Sequence, residues 1–305
     1  MALVVALYRG DYVQMPSVVL PAALALSFVN LIGGFFAAVY CWRLMLRHAG
    51  CNASFFASLA SYGLSLPGKF LPGKVWAIAG RASYLRQYSQ CSFARLSLVS
   101  IETQVAELWT GLSLGAVGLA ATGGLRSWGG FVLAVWLIVT GAALLPRVPA
   151  VAQLAKKRLC VVSGVCTSNT LASYLTVLPW FFLAWLLWAV GFYFMTVAIL
   201  GKGQPWTVGL AFPLATSLGI LAVVAPGGLG VREGVLSGYL ILAGFSVVDA
   251  TTVAVASRLW FLIGELFILG SGIAASTCDG KQRISQPPIS TNCHAGSNDT
   301  ATPDT

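Results

Sequence analysis

The sequence predicts an all-α fold, a polytopic bundle of transmembrane helices, and its composition and apolar stretches carry that prediction. Of the 305 residues, 57% are hydrophobic and only 9% are charged, whereas soluble domains carry roughly 25% charged residues. This number of charged residues is too small to cover a water-facing surface. The apolar side chains must therefore face lipid. Strands of a membrane barrel would alternate apolar and polar residues, but stretches such as residues 178–188 are apolar on every side. We therefore expect helices.

Five apolar stretches reach or approach the roughly 20 residues that a helix needs to cross the hydrocarbon core. They lie at residues 18–46, 96–121, 128–145, 172–200 and 251–275. We assign the transmembrane domain to residues 18–276. Residues 1–17 look like a truncated first span or an amphipathic N-terminus, and the polar residues 277–305 are typical of a disordered tail.

Two further apolar stretches, residues 53–66 and 208–224, each run into a segment rich in glycine and proline. Proline removes a backbone donor, and glycine weakens a helix by about 1 kcal/mol against alanine. We therefore expect the helices to stop there. Non-helical backbone is tolerated at membrane depth only where protein buries it or where it lines a wet cavity. Both breaks should therefore face the interior of the bundle.

The formal net charge of +9 is explained by the excess of basic residues in the cytoplasmic loops of membrane proteins. No RNA- or DNA-binding signature is present, so nucleic acid is not an expected partner. When the basic residues named below are assigned to the cytoplasm, only Arg9, Arg126 and Lys202 are left for the loops on the other side of the membrane. The basic residues assigned to the cytoplasm are Arg43, Arg47 and His48; Arg81, Arg86 and Arg95; Arg147, Lys156, Lys157 and Arg158; and Lys281 and Arg283.

This charge assignment predicts two inverted halves, each with a re-entrant broken segment. The first broken stretch would enter and leave from the cytoplasmic side, and the second from outside. Paired broken segments in inverted halves indicate a transporter-like site near the bilayer midplane. The alternative is that residues 208–224 span the membrane fully.

The seven cysteines are isolated, with no C-x-x-C pair, and the only two histidines, His48 and His294, lie near no cysteine cluster. We therefore expect neither a disulfide framework nor a metal site. No Ser-His-Asp set can be assembled, so the sequence does not predict an enzyme, and no motif calls for a cofactor.

Two motifs at the breaks give the sequence a family resemblance. Residues 71–76 (LPGKVW) with Gly80 and Arg81, and residues 226–234 (PGGLGVREG) with Arg258 and Leu259, resemble the two hallmarks of the lysylphosphatidylglycerol synthase transmembrane-region family. The resemblance covers about Trp42 to Ser271.

The family resemblance implies an inner-membrane helical domain related to the flippase part of the multiple-peptide-resistance lipid-modifying proteins. It also implies relatives that work beside glycosyltransferases and lipid-pathway enzymes. The 305 residues leave no room for a soluble aminoacyl-transferase domain. We therefore do not expect synthesis of lysylphosphatidylglycerol.

Ionisable side chains inside spans cost roughly 2.5 to 3.5 kcal/mol on insertion scales, so they need partners and commonly mark function. Glu102 and Glu107 point to different helix faces, and we assign Glu102 to the site. Arg258 and Glu265 share one face two turns apart. The predicted substrate-binding residues are Lys69, Lys74, Arg81, Glu102, Gly227, Gly228, Gly230, Arg232, Glu233 and Arg258.

These residues suit the phosphate of a lipid headgroup. A glycine-rich break before a helix offers free backbone N–H groups and the positive end of the helix dipole, and arginine can hold phosphate in a fork. The alternative is that the charges pair only with one another and clamp the broken helices.

Three functions follow in order of support. The first is to bind an anionic lipid or a lipid-linked precursor, with an anionic or polyprenyl-linked headgroup, or to translocate it across the inner membrane. The second is to act as a non-transporting accessory scaffold for a glycosyltransferase or lipid-modifying enzyme. An intramembrane transferase has the least support.

Overall fold

The computed structural model describes residues 18–71, 75–89, 91–144, 171–201, 203–222 and 225–284. These residues form helices and connecting turns and contain no strand, which confirms the all-α class. Short 3₁₀ turns lie at the two predicted breaks, Leu66–Phe70 and Pro226–Gly228, and a third, Trp206–Leu210, precedes the helix that begins at Ala211. The α-helices are α1 (Pro21–His48), α2 (Phe55–Ser65), α3 (Val75–Leu85), α4 (Phe93–Ala121), α5 (Leu125–Leu144), α6 (Leu171–Leu200), α7 (Ala211–Leu221), α8 (Val231–Leu242) and α9 (Val247–Ile284).

Three helical segments in the described residues are long and apolar enough to cross a membrane: Pro21–His48, Tyr174–Leu200 and Val247–Thr277. The other two predicted spans are helical as well, as α4 and α5. Helix α9 continues to Ile284, past the predicted start of the tail. Residues 1–17 and 285–305, the N-terminal segment and most of the tail, lie outside the described residues.

The first predicted break folds as an antiparallel hairpin of α2 and α3, here called the first hairpin. A Cβ added to Gly80 would lie 3.6 Å from the Cα of Ser65, so the end of α2 packs beside α3. The two ends of the hairpin are joined by a disulfide between Cys51 and Cys91, whose Cα atoms are 5.9 Å apart. No disulfide framework was expected, and this bond departs from that expectation. Two cysteines 40 residues apart meet only because the chain turns back on itself.

The second predicted break folds in the same way, as a hairpin of α7 and α8, here called the second hairpin. Its turn needs glycine: Gly227, Gly228 and Gly230 have φ of 59°, 71° and 83°, a region that side-chain-bearing residues rarely adopt. The Tyr239 hydroxyl of α8 donates a hydrogen bond to the Thr207 carbonyl (2.9 Å), which closes the open end of the hairpin.

The two hairpins enter the bundle from opposite ends and meet at their turns. The first opens beside the start of α4, where Gly50 approaches Arg95, and the second beside the end of α4, where Gly124 approaches Leu242. At the turns, a Cβ on Gly227 would lie 3.2 Å from the Phe70 ring.

The long helices pack against one another and against both hairpins. Helices α1 and α6 are antiparallel, since the Val19 N–H near one end of α1 donates to the Ala198 carbonyl (2.9 Å) and His48 at the other contacts Thr176 (3.2 Å). Helix α2 packs on α9, and α7 packs on α4. The placement of both hairpins within a bilayer, with inverted membrane orientation, stays a prediction.

Candidate functional site

A cavity of about 150 Å³ lies where the two hairpin turns meet. Its wall combines basic, acidic and neutral polar side chains with aromatic rings. Ionisable groups inside a helical membrane bundle are costly and usually mark a substrate or ion pathway. We therefore take this cavity as the candidate site. Its charged lining residues are Lys69, Arg81, Arg232, Arg258, Glu107 and Glu265.

Lys69, at the turn of the first hairpin, forms an ion pair with Glu265 of α9. The Lys69 side chain is 29% exposed and that of Glu265 is 7% exposed. The ammonium group also lies over the Phe70 and Phe261 rings, 5.1 and 5.6 Å from their centroids. This pair ties the first hairpin turn to α9.

Arg258 of α9 holds the turn of the second hairpin in a similar way. Its Nη1 donates to the Gly227 carbonyl (2.9 Å) and lies 3.6 Å from Oε1 of Glu233. The other carboxylate oxygen of Glu233 accepts a hydrogen bond from the Gly230 N–H (2.8 Å), which caps the start of α8. Arg258 and Glu233 therefore shape the turn.

Arg81, on α3, is buried and already has a hydrogen-bond partner. Its Nε donates to Oγ of Ser65 at 3.1 Å. Its guanidinium lies over Tyr62 and Trp42, 4.3 and 5.5 Å from the ring centroids. Stacking on aromatic faces stabilises a buried guanidinium.

Arg232, in the first turn of α8, is 5% exposed, and in the part of the chain that the structure describes its Nε and Nη2 have no hydrogen-bond partner. The guanidinium lies over Phe212 and Phe261, 4.7 and 4.9 Å from the ring centroids. A cation at the positive end of a helix is unfavourable, and a buried donor left unsatisfied costs about 1–3 kcal/mol. An anion in the cavity would accept hydrogen bonds from these donor nitrogens and would offset the positive charge at the start of α8.

Glu107 of α4, and not Glu102, lines the cavity. Its carboxylate accepts a hydrogen bond from Gln104 Nε2 at 3.2 Å. The Glu102 carbonyl instead accepts a hydrogen bond from the Tyr174 hydroxyl of α6. The rotation of α4, set by its packing on α7, decides between the two carboxylates, and the sequence does not specify that rotation.

One family profile, described as Lysylphosphatidylglycerol synthase TM region, matches residues 3–267. The chain belongs to this family. The match includes both hairpins and every residue that lines the cavity. Together with the apolar helices it makes the chain an integral membrane protein. No curated protein matches the sequence.

In this member of the lysylphosphatidylglycerol synthase TM-region family, five of the ten predicted site residues line the cavity: Lys69, Arg81, Gly227, Arg232 and Arg258. The structure places four others elsewhere: Glu233 holds Arg258, Gly228 and Gly230 form the second turn, and Glu102 lies away from the lining. Lys74 lies outside the described residues.

Sequence reasoning did not assign Gln104, Glu107 or Thr216 to the site, and the structure places all three in the lining. The spacing of Gln104 and Glu107, three residues apart in a largely apolar helix, was the available signal, because such residues share a face.

Proposed function

We propose that this protein binds an anionic lipid or a lipid-linked precursor in the central cavity and moves it across the inner membrane without covalent chemistry. Arg232 carries the proposal, because it is buried at a cavity wall with two donor nitrogens that have no partner in the described residues. A phosphate oxygen accepts such donors well, and arginine can present them as a fork.

The size of the cavity supports a binding mode in which the lipid headgroup lies inside the cavity and the acyl chains lie outside it. The cavity volume of about 150 Å³ leaves room for a phosphate and a few attached atoms, since a single water molecule takes up only roughly 30 Å³. Large apolar side chains are exposed at the hairpin turns beside it, where lipid chains would lie: Phe70, Leu71, Val75, Trp76 and Leu229.

The opposed hairpins support movement as well as binding. Alternating access in transporters built from two repeats needs broken segments from both halves around one central site. The Phe70–Gly227 contact places the two turns together at this cavity. Opening one hairpin at a time would expose the headgroup to one side and then the other.

The accessory scaffold is the second candidate, and two ion pairs favour it. Lys69 is paired with Glu265, and Arg258 with Glu233, so half of the basic lining residues already have structural partners. In that case the cavity charges would only clamp the bundle, and a partner enzyme would carry the chemistry.

The test is lipid movement in vesicles that contain the purified protein, measured by the accessibility of a labelled headgroup to an outside quencher. Anionic phospholipids, polyprenyl phosphates and aminoacylated lipids should be tested, with and without a proton gradient. We expect at least one to move faster than in empty vesicles.

Arg232→Gln should then slow that movement at least about tenfold, because a hydrogen bond to a charged group contributes about 1.5–3 kcal/mol. Protein abundance should remain near normal. Arg126→Gln is the matched control, since Arg126 is exposed at the start of α5. If no lipid moves faster and the protein co-purifies stoichiometrically with a lipid-modifying enzyme, the scaffold is correct.

A further inference from the structure

Arg81 and Arg232 have similar surroundings in the two hairpins, although Arg81 is the seventh residue of α3 and Arg232 the second of α8. Each lies on the second helix of its hairpin, and each packs against the first, Arg81 at Ser65 and the Cβ of Arg232 at Gly219. Each guanidinium also covers an aromatic ring of that first helix: Tyr62 at 4.3 Å and Phe212 at 4.7 Å.

These two arginines are also the basic lining residues that no ion pair holds within the described residues. They differ in one respect. The Nε of Arg81 donates to the Ser65 hydroxyl, whereas Arg232 packs against Gly219, which has no side chain to accept a bond. In this state Arg232 presents two buried donor nitrogens without a partner in the described residues, whereas the Nε of Arg81 is held by Ser65.

We infer that Arg81 and Arg232 are two half-sites that receive the same anionic headgroup in turn, an inference that rests on the proposed function. In the present state the headgroup binds Arg232. When the first hairpin shifts, Arg81 leaves Ser65 and takes the headgroup over. Because α3 runs from the first turn toward Cys91, this transfer carries the headgroup toward the end of the bundle that holds the disulfide.

Two half-sites that bind the headgroup with similar affinity would allow it to pass from one arginine to the other. A headgroup held by both arginines at once would be bound too firmly to leave, whereas transport requires binding that is favourable on entry and reversible on exit. Ser65 acts as a substitute ligand for the arginine that is not in use. It can do so because its hydroxyl accepts from Arg81 while donating to the Tyr62 carbonyl (2.7 Å).

The experiment measures binding and movement separately. Binding of labelled phosphatidylglycerol and of a labelled polyprenyl phosphate is measured on detergent-purified protein, and movement of the same two lipids in vesicles. Arg232→Gln should weaken binding at least about tenfold, and Arg81→Gln should leave it within about twofold of the original protein. Both variants should stop movement.

The decisive variant is Ser65→Ala in the Arg232→Gln background. It releases Arg81 without removing its charge, so it should restore part of the lost binding. If Arg81→Gln weakens binding as much as Arg232→Gln, or if Ser65→Ala restores nothing, the two arginines form one clamp. The half-sites are then wrong, and the proposed function stands. If neither arginine affects binding or movement, the proposed function fails with them.

Discussion

Gly63 of α2 and Gly272 of α9 lie so close that a methyl group on Gly63 has no room. A Cβ there would be 2.5 Å from the Ile268 carbonyl oxygen and 3.2 Å from the Cα of Gly272. Small residues let helix backbones approach closely, which is a principal source of helix packing in membranes. This contact sets the first hairpin against α9 and so brings Lys69 to Glu265.

Gly63→Ala should therefore destabilise the protein by about 1–3 kcal/mol, the usual cost of overpacking. Gly270→Ala on α9 is the matched control, because a Cβ there meets nothing within 4 Å. That substitution should be neutral or stabilise by up to about 1 kcal/mol through helix propensity. Thermal unfolding of both variants in detergent checks the prediction, and equal midpoints would contradict it.

Lys69→Met should lower the yield of folded protein, because it leaves the buried Glu265 carboxylate without its cation. Breaking one side of a buried pair costs about 3–5 kcal/mol, and less here since Lys69 is partly exposed. Lys69→Met combined with Glu265→Gln should recover the yield, measured by size-exclusion chromatography of detergent extracts. A double variant with a lower yield than either single one would show that the pair contributes more than charge balance.

Reduction of the Cys51–Cys91 disulfide should lower the thermal midpoint of the purified protein. A bond that closes a loop of this length stabilises by about 2–4 kcal/mol, chiefly by restricting the unfolded chain. In the variant with both residues changed to serine, the reductant should not change the thermal midpoint. This control separates the effect of breaking the bond from other effects of the reagent. An unchanged midpoint on reduction of the original protein would mean that hairpin packing alone holds the two ends.

Arg86 and Arg126 lie beyond opposite ends of α4, and both are exposed. The basic-loop bias places Arg86 in the cytoplasm and Arg126 outside. In a background without native cysteines, a cysteine at Arg126 should react with a membrane-impermeant thiol reagent in intact cells. A cysteine at Arg86 should react only after the membrane is opened, and the reverse pattern would invert the topology.

The same predicted orientation would put Cys51 and Cys91 at the cytoplasmic end, where thiols are kept reduced. Both should therefore be alkylated in freshly lysed cells and should join after oxidation of the purified protein. A bond already present in the cells would place that end of the bundle in an oxidising compartment and contradict the charge assignment.

The sequence by itself determined the helical membrane class and the positions of the two breaks, because both depend on local properties. A membrane span must be a helix or part of a closed barrel, and stretches that are apolar on every side favour the helix. Pro226 and the glycines after it disfavour a continuous helix through local backbone preferences. Lys69, Arg81 and Arg232 could also be predicted as site residues, since a charge beside a break in an apolar chain needs a buried polar partner or a ligand.

Only the tertiary structure decided which groups meet. The choice of Glu107 over Glu102 depends on the rotation of α4 against α7, which backbone contacts such as Gly115 with Leu214 set. The Cys51–Cys91 bond and the approach of Arg81 and Arg232 to one cavity depend on hairpins that bring distant residues together. Hydrophobicity and helix-breaking residues depend on neighbours in the sequence. Side-chain packing, ion pairs and the disulfide join residues that are distant in the sequence, so they could not be predicted from the order of residues.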